Sequence, residues 1–251
     1  MESFGSINRI SPNIWHGDAI EFLSHCPKYT TIIADPPDNI GLAYGKYKDM
    51  RPSREYFDWI DLLLHKALQK CDVMWLSMYH KNAIETAYRV RVLLRGYASW
   101  KVRTVIWKYT FGQYNDNDMP NGYRPIFLFQ SHWAKMNWDA IRVPSTRMEM
   151  GDPRAAGPRI PDDVWEFPRV VGNHKDRCDW HPTQHPTELY ARMLSVSTTT
   201  TKDRAIDLFG GTGTIFRAAH DLGIQDQVHY LDIDEEYCHK VLTHEEIRKG
   251  K

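Results

Sequence analysis

Two short strings hold the residues best suited to chemistry: Asp35-Pro36-Pro37-Asp38 early in the chain and Asp207-Leu208-Phe209-Gly210-Gly211-Thr212-Gly213-Thr214 late in it. The late string closes an apolar run, 204–209, that reads as a strand, and it opens an apolar-periodic stretch that reads as a helix. A strand, a glycine turn and a helix together leave backbone amides bare and let the chain approach a nucleotide-like cofactor closely. The early string ends another predicted strand, 30–34, and its two prolines stiffen the turn. A carboxylate is thereby held rigidly at a strand's carboxyl end, where α/β folds place their sites.

Elements that position these strings alternate along the chain. Ser53 is placed to cap a helix reaching about Gln69, with Tyr56, Ile60, Leu63, Leu64, Ala67 and Leu68 on one face. A buried strand is predicted over 73–78, a helix over 80–95, and further strands over 103–107 and 126–130. Pro186 suits the first turn of a helix with Leu189, Met193 and Val196 below it. Beyond the glycine turn, Ile215, Ala218, Ala219 and Leu222 make a packing stripe that Gly223 stops. A strand over 228–233 and a helix over 234–248 complete an α/β alternation. Residues 109–180 break it, with prolines at 120, 125, 144, 153, 158, 161 and 168 and few periodic segments, and read as loop-rich.

The two strings, in this order, resemble those of DNA amino-methyltransferases, the family that methylates exocyclic amines of adenine or cytosine using S-adenosylmethionine. In its permuted β class an Asp-Pro-Pro-aromatic motif comes first and a Phe-x-Gly-x-Gly motif comes late. His181-Pro182-Thr183-Gln184-His185-Pro186 is similar to the His-Pro-Thr-Gln-Lys-Pro string of such enzymes, and Ile14-Trp15-His16-Gly17-Asp18 to their Gly-Asp. The resemblance spans roughly residues 14 to 240. It implies a Rossmann-like methyltransferase sheet layered by helices, with circularly permuted motif order and a loop-rich insertion at 131–180 that recognises the target.

The same resemblance assigns roles. Gly211 and Gly213 would admit the methionine part of the cofactor, in a turn shared with Asp207, Phe209 and Thr214. Asp232 would take the ribose hydroxyls, and Asp18 either the cofactor's adenine amino group or a plain turn or cap role before Ile20, while Asp234 reads as a helix cap. Thr183, Gln184 and His185 would meet the cofactor's carboxylate end; His185 stands where lysine is common, which predicts pH-sensitive affinity. Asp35 would accept one hydrogen of the target amine and the Pro36 carbonyl a second, with Pro37 rigidifying the turn beside the cofactor. Asp38 departs from the family's aromatic. It is read as a turn residue capping amides, with base stacking moved to Tyr44 or Tyr47 in a glycine-hinged lid over 39–47. Asp35 leading the motif favours adenine N6 in DNA; cytosine N4, an RNA base, or a catalytically silent partner subunit are the alternatives.

Composition bounds partners and location. A chain of 251 residues suits one α/β domain. Its 32 basic and 32 acidic residues supply no overall attraction to a polyanion. Charge is nevertheless polarised: Lys81, Arg89, Arg91, Arg95, Lys101, Arg103 and Lys108 face a single acid, Glu85, in the same stretch. The insertion offers Arg142, Arg147 and Arg154 as substrate contacts, with Arg159, Arg169, Lys175 and Arg177 behind them, and Trp133, Trp138 and Trp165 to pack or stack. DNA is the expected partner, with a homodimer or a restriction nuclease as further candidates. A cytoplasmic location follows from the lack of a membrane-length apolar run, an export-type start or paired cysteines. His174, Cys178, His181 and His185 have metal-like spacing, but Pro182 and Pro186 break the helix that would align them, so no metal is expected.

Overall fold

The computed structural model describes residues 3–4, 6–45, 47–114 and 116–249. Its strands are β1 (Ser3–Phe4), β2 (Ile7–Ser11), β3 (Ile14–His16), β4 (Thr31–Ala34), β5 (Ala43–Tyr44), β6 (Tyr47–Lys48), β7 (Val73–Ser77), β8 (Trp100–Gln113), β9 (Asn121–Ser131), β10 (Val164–Glu166), β11 (Ala205–Asp207) and β12 (Val228–Asp232). The helices are α1 (Ala19–His25), α2 (Ser53–Leu68), α3 (Ala83–Leu93), α4 (Thr146–Glu149), α5 (Thr187–Ser197), α6 (Thr214–Leu222) and α7 (Glu235–Lys249).

Ten strands form one sheet in the order β1-β2-β3-β12-β11-β4-β7-β9-β8-β10, and β5 and β6 make a separate hairpin. β3, β12, β11, β4 and β7 run parallel, whereas β9 is antiparallel to both β7 and β8. Side chains alternate between two cores, as a period of two requires. Ile32, Ala34, Met74, Leu76, Ile206 and Leu208 pack beneath α1, α2 and α3. Ile33, Val73, Trp75, Ala205, Val228 and Tyr230 pack with α5, α6 and α7. This is the α/β layering that the alternation of elements predicts.

The topology brings the two motifs together. From β4 the chain leaves through α2 to β7 on one side, while from β11 it leaves through α6 to β12 on the other. β4 and β11 are nonetheless neighbours, with Asp207 paired to Ile33, so a switch point opens between their carboxyl ends.

Three expectations change. Ser53 begins α2 rather than capping it, because Pro52 occupies the cap position and no side chain bonds the first amides. The predicted strand 103–107 runs from Trp100 to Gln113, so the loop-rich stretch does not begin at Tyr109. Val105, Trp107 and Tyr109 are buried in alternation, and that period continues into residues whose prolines drew attention away. Within 131–180, β10 joins the sheet edge beside β8, and Trp165 is buried against Trp75 at 5.7 Å. Trp165 is therefore core and not a stacking surface, whereas Trp133 stays exposed.

Candidate active site

The turn after β4 sets the first carboxylates. The Tyr56 hydroxyl donates to the Pro37 carbonyl at 3.0 Å, and Asn82 Nδ2 donates to the Asp38 carbonyl at 2.7 Å. Pro36 is buried, and among the described residues its carbonyl receives no donor. Asp49 carries the next loop: its carboxylate accepts the backbone N–H groups of Asn39, Ile40 and Leu42 at 2.8, 3.2 and 3.1 Å. Glycine is needed at Gly45, where φ is +45° and a Cβ would lie 2.1 Å from Asp234 Oδ2. The loop therefore lies against the start of α7 and brings Tyr44 and Tyr47 to the site.

One guanidinium serves both aspartates of the turn. Arg124, from β9, donates from Nη2 to Asp35 Oδ1 (2.7 Å) and Asp38 Oδ1 (2.6 Å), from Nη1 to Asp38 Oδ2 (2.9 Å), and from Nε to Ser77 Oγ (2.6 Å). His185 closes a ring, with Nδ1 at 3.1 Å from Asp35 Oδ2 and Nε2 at 3.2 Å from Ser77 Oγ. Because Ser77 Oγ accepts from Arg124, its hydrogen is left for His185 Nε2, which assigns the imidazole hydrogen to Nδ1, facing Asp35. A single cation cannot neutralise two carboxylates. Burial acts to raise Asp35, but Arg124 and His185 outweigh it and hold that carboxyl well below the usual range. At Asp38 burial wins and pushes the carboxyl up despite Arg124. The network overturns the reading of Asp38 as a simple turn cap.

The glycine turn builds the other half. A Cβ on Gly210 would lie 2.2 Å from the Tyr230 ring, so this glycine is required by packing and does more than relax the turn. Gly211 and Gly213 have φ of +47° and +73°, the left-handed region that suits glycine. Asp232, at the end of β12, accepts the Gly211 amide at Oδ2 (2.9 Å) and the Asp234 amide at Oδ1 (2.8 Å). Burial raises its carboxyl to about 6. Asp234 caps α7, its Oδ1 accepting from the Glu236 amide at 2.9 Å.

Two adjoining cavities meet at these motifs. The first, about 670 Å³, is lined by Asp35, Pro37, Tyr44, Tyr47, Thr183, Gln184, His185, Phe209, Gly211, Thr214 and Asp232, all of them sequence candidates. His181, Tyr190, Gly210, Thr212, Ile233, Asp234 and Tyr237 complete it. The second, about 940 Å³, shares Asp35, Tyr44, Thr183, Gln184 and His185, and adds Asp38, Tyr79, Trp107, Tyr109, Arg124 and Arg169. Asp35 and Tyr44 thus stand in the wall between them.

Other candidates lie elsewhere. Asp18 lines neither cavity; its Oδ1 caps α1 through the amides of Ile20 and Glu21. Pro36, Gly213 and Asp207 line neither cavity. His185, placed by sequence at the cofactor's carboxylate end, bonds Asp35 and Ser77 instead. Arg142, Arg147 and Arg154 line neither cavity; Arg142 pairs with Asp139 and Arg154 with Asp152. Arg89, from the basic stretch, is held by Glu85 at 2.7 Å and Asp61 at 2.6 Å, so it pins α3 to α2. Sequence reasoning missed Arg124, Tyr79, Trp107 and Tyr109. Asp38 in place of an aromatic signalled that some donor must meet a carboxylate in this turn, but not which residue supplies it.

Asp207 gives a pH prediction. It is 1% exposed, accepts the Phe209 amide at Oδ1, and has the Tyr190 hydroxyl beside it. Burial pushes its carboxyl up to about 7. A folded-state value above the unfolded one, near 4, gives stability that is complete at low pH and is lost as pH rises through about 7. Asp207→Asn is expected to gain on the wild type across that window, by several degrees in melting temperature at about pH 8. Melting curves that stay parallel from about pH 5 to 8 would rule this out.

Glycine-floored backbone, a carboxylate ending the next strand and aromatic walls make the first cavity fit a nucleoside with an amino-acid tail. Known proteins match this geometry. A family described as DNA methylase, of the N6/N4 type, matches residues 29–243. The type II methyltransferase M.HpaI of Haemophilus parainfluenzae is 29% identical over 217 residues, covering 82% of this chain and 66% of that protein. The DNA adenine methyltransferase YhdJ of Escherichia coli K12 is 29% identical over 218 residues, covering 80% of this chain and 72% of the relative. Among solved structures, the cytosine-N4-specific PvuII DNA methyltransferase superposes with a TM-score of 0.64 at 15% identity, covering 92% of this chain and 86% of that one. The M1.HpyAVI–SAM complex superposes at 0.57 with 17% identity, covering 92% and 98%. At these identities the structural likeness establishes the fold.

Proposed function

The chain belongs to the N6/N4 DNA methylase family, and from that membership we propose that it transfers a methyl group from S-adenosylmethionine to the exocyclic N6 of adenine in DNA. The observation that carries the proposal is Asp35, a carboxylate kept anionic in the wall shared by a cofactor-shaped cavity and an aromatic-lined one.

S-adenosylmethionine, when bound, supplies a methyl group on a sulfonium. Residues of the first cavity do the holding. Asp232 would take the ribose hydroxyls, Phe209, Tyr47 and Tyr237 would offer rings to the purine, and Thr183, Gln184, Thr212 and Thr214 would meet the amino-acid end, all of them lining that cavity. In the second cavity the difficulty is a weak nucleophile, because the lone pair of an aromatic amine is delocalised into its ring. Asp35 accepts one amine hydrogen and turns the lone pair toward the first cavity. Its depressed pKa makes it an acceptor rather than a proton sink; as the nitrogen–methyl bond formed and the sulfonium–methyl bond broke, leaving a thioether, the methylated nitrogen would become strongly acidic and give its proton to solvent. The base must leave the duplex to reach this depth, and Tyr44 and Tyr79 are the partly exposed rings that can receive it.

Mass spectrometry of nucleosides from DNA isolated with and without the expressed protein tests the proposal. N6-methyladenine is expected; N4-methylcytosine would move the target to the alternative amine, and the absence of both products would refute the reading. For the cofactor side, Asp232→Ala is expected to weaken S-adenosylmethionine about tenfold or more. It removes charge-assisted hydrogen bonds worth roughly 1.5–3 kcal/mol each and frees the Gly211 amide. Calorimetry giving unchanged affinity in a folded variant would contradict the ribose assignment.

A further inference from the structure

We propose that Arg124 is a positioning residue for methyl transfer, with Asp38 as its counterion: the pair fixes Asp35, in one place and one charge state, between the two cavities. The inference rests on the methyltransferase reading above.

The geometry is unusually complete for a buried cation. Arg124 is 9% exposed, and four of the five N–H groups of a guanidinium are used, on partners from two further elements. Asp38 takes two of these bonds in a forked, bidentate contact, which fixes the plane of the guanidinium. That plane directs the second Nη2 hydrogen at Asp35 Oδ1, while His185 holds Oδ2. Asp35 is thus gripped at both oxygens, and each oxygen keeps a further lone pair for an amine hydrogen.

The same geometry explains the residue at the fourth motif position. An aromatic residue there would offer no carboxylate and would leave the buried guanidinium with Asp35 and the neutral Ser77 hydroxyl. Asp38 is present because Arg124 is present. Without Arg124, Asp35 would be buried beside two further carboxyls, Asp38 and Asp207. The other titratable groups facing it are His181 and His185 and the tyrosines 44, 109 and 190. Burial and like charge would then protonate Asp35 near neutral pH, and a protonated carboxyl is a poorer acceptor for the amine.

Three variants of the 251-residue chain test this: Arg124→Met with Asp38→Leu, which leaves no unpaired charge of the two; Arg124→Lys; and Asp38→Tyr, which reinstates the family's aromatic. Turnover on DNA is measured from about pH 5 to 9, alongside S-adenosylmethionine affinity and melting temperature. For the double variant, affinity should stay within about threefold, while turnover near pH 6 falls about 10- to 100-fold and recovers as pH rises. Lysine should restore part of the loss, and Asp38→Tyr should lower turnover about tenfold or more. A wild-type pH profile in the double variant, or full activity in Asp38→Tyr, would overturn the proposal. If the double variant does not fold, Arg124→Lys and Asp38→Tyr carry the same readouts. Failure of the underlying reading is separately visible, since the wild type would then form no methylated nucleoside.

Discussion

Asp35→Ala should yield a folded protein that binds S-adenosylmethionine and transfers its methyl group about 100-fold more slowly, or worse. Asp35 accepts a hydrogen from an amine whose nucleophilicity depends on being held out of conjugation, so its contribution is greatest in the transition state. Folding should survive, because Arg124 keeps the forked contact with Asp38 and the bond to Ser77. Loss of one carboxylate also removes the like-charge pressure within the turn. Asp35→Asn separates charge from shape: it keeps an oxygen acceptor, and should fall between alanine and wild type. Single-turnover transfer of labelled methyl to DNA, with cofactor affinity measured in parallel, checks the ordering. An alanine variant within about threefold of wild-type transfer would remove Asp35 from the chemistry.

What the sequence made legible follows from how local each signal is. Strand, turn and helix around Asp207–Thr214 are set by neighbours in the chain, and the structure places all three there. The stop at Gly223 is equally local, with φ of +70°. Neighbouring of β4 and β11 depends on crossover direction, which motif order could imply only through the family resemblance. Arg124 was illegible for a different reason. It sits two residues before the predicted strand 126–130, and its partners come from the turn after β4 and from β7. Nothing in the composition of 121–131 marks that arginine as buried. The burial of Trp165 was hidden likewise, because a three-residue edge strand leaves almost no periodicity. Asp18 is the opposite case: the motif match suggested a cofactor contact, while the side chain makes the local cap that was its other reading.

Tyr44 and Tyr47, equivalent as stacking candidates in the sequence, are separated by the fold. Tyr44 lines both cavities, while Tyr47 lines only the first and lies under the Arg51 guanidinium at 5.6 Å. Tyr44→Ala is therefore expected to slow turnover about 10- to 100-fold, since stacking on a base is worth roughly 1–3 kcal/mol, with a smaller change in cofactor affinity. Tyr47→Ala should weaken the cofactor and leave turnover at saturation nearly intact. Asp38→Ala, which a turn-cap role would make the mildest of the three, should instead rank with Tyr44→Ala or beyond it. It strips the buried Arg124 of its forked partner, and breaking a buried pair on one side costs about 3–5 kcal/mol. The cost should appear in melting temperature as well as turnover, whereas Tyr44→Ala should act mainly on turnover. Tyr44 reaches the site on a loop tied down by Asp49 and by the close approach of Gly45 to Asp234, so its removal leaves the loop's own bonds in place. Equal turnover in Tyr44→Ala and wild type would move the stacking surface to Tyr79, the other partly exposed ring of the second cavity.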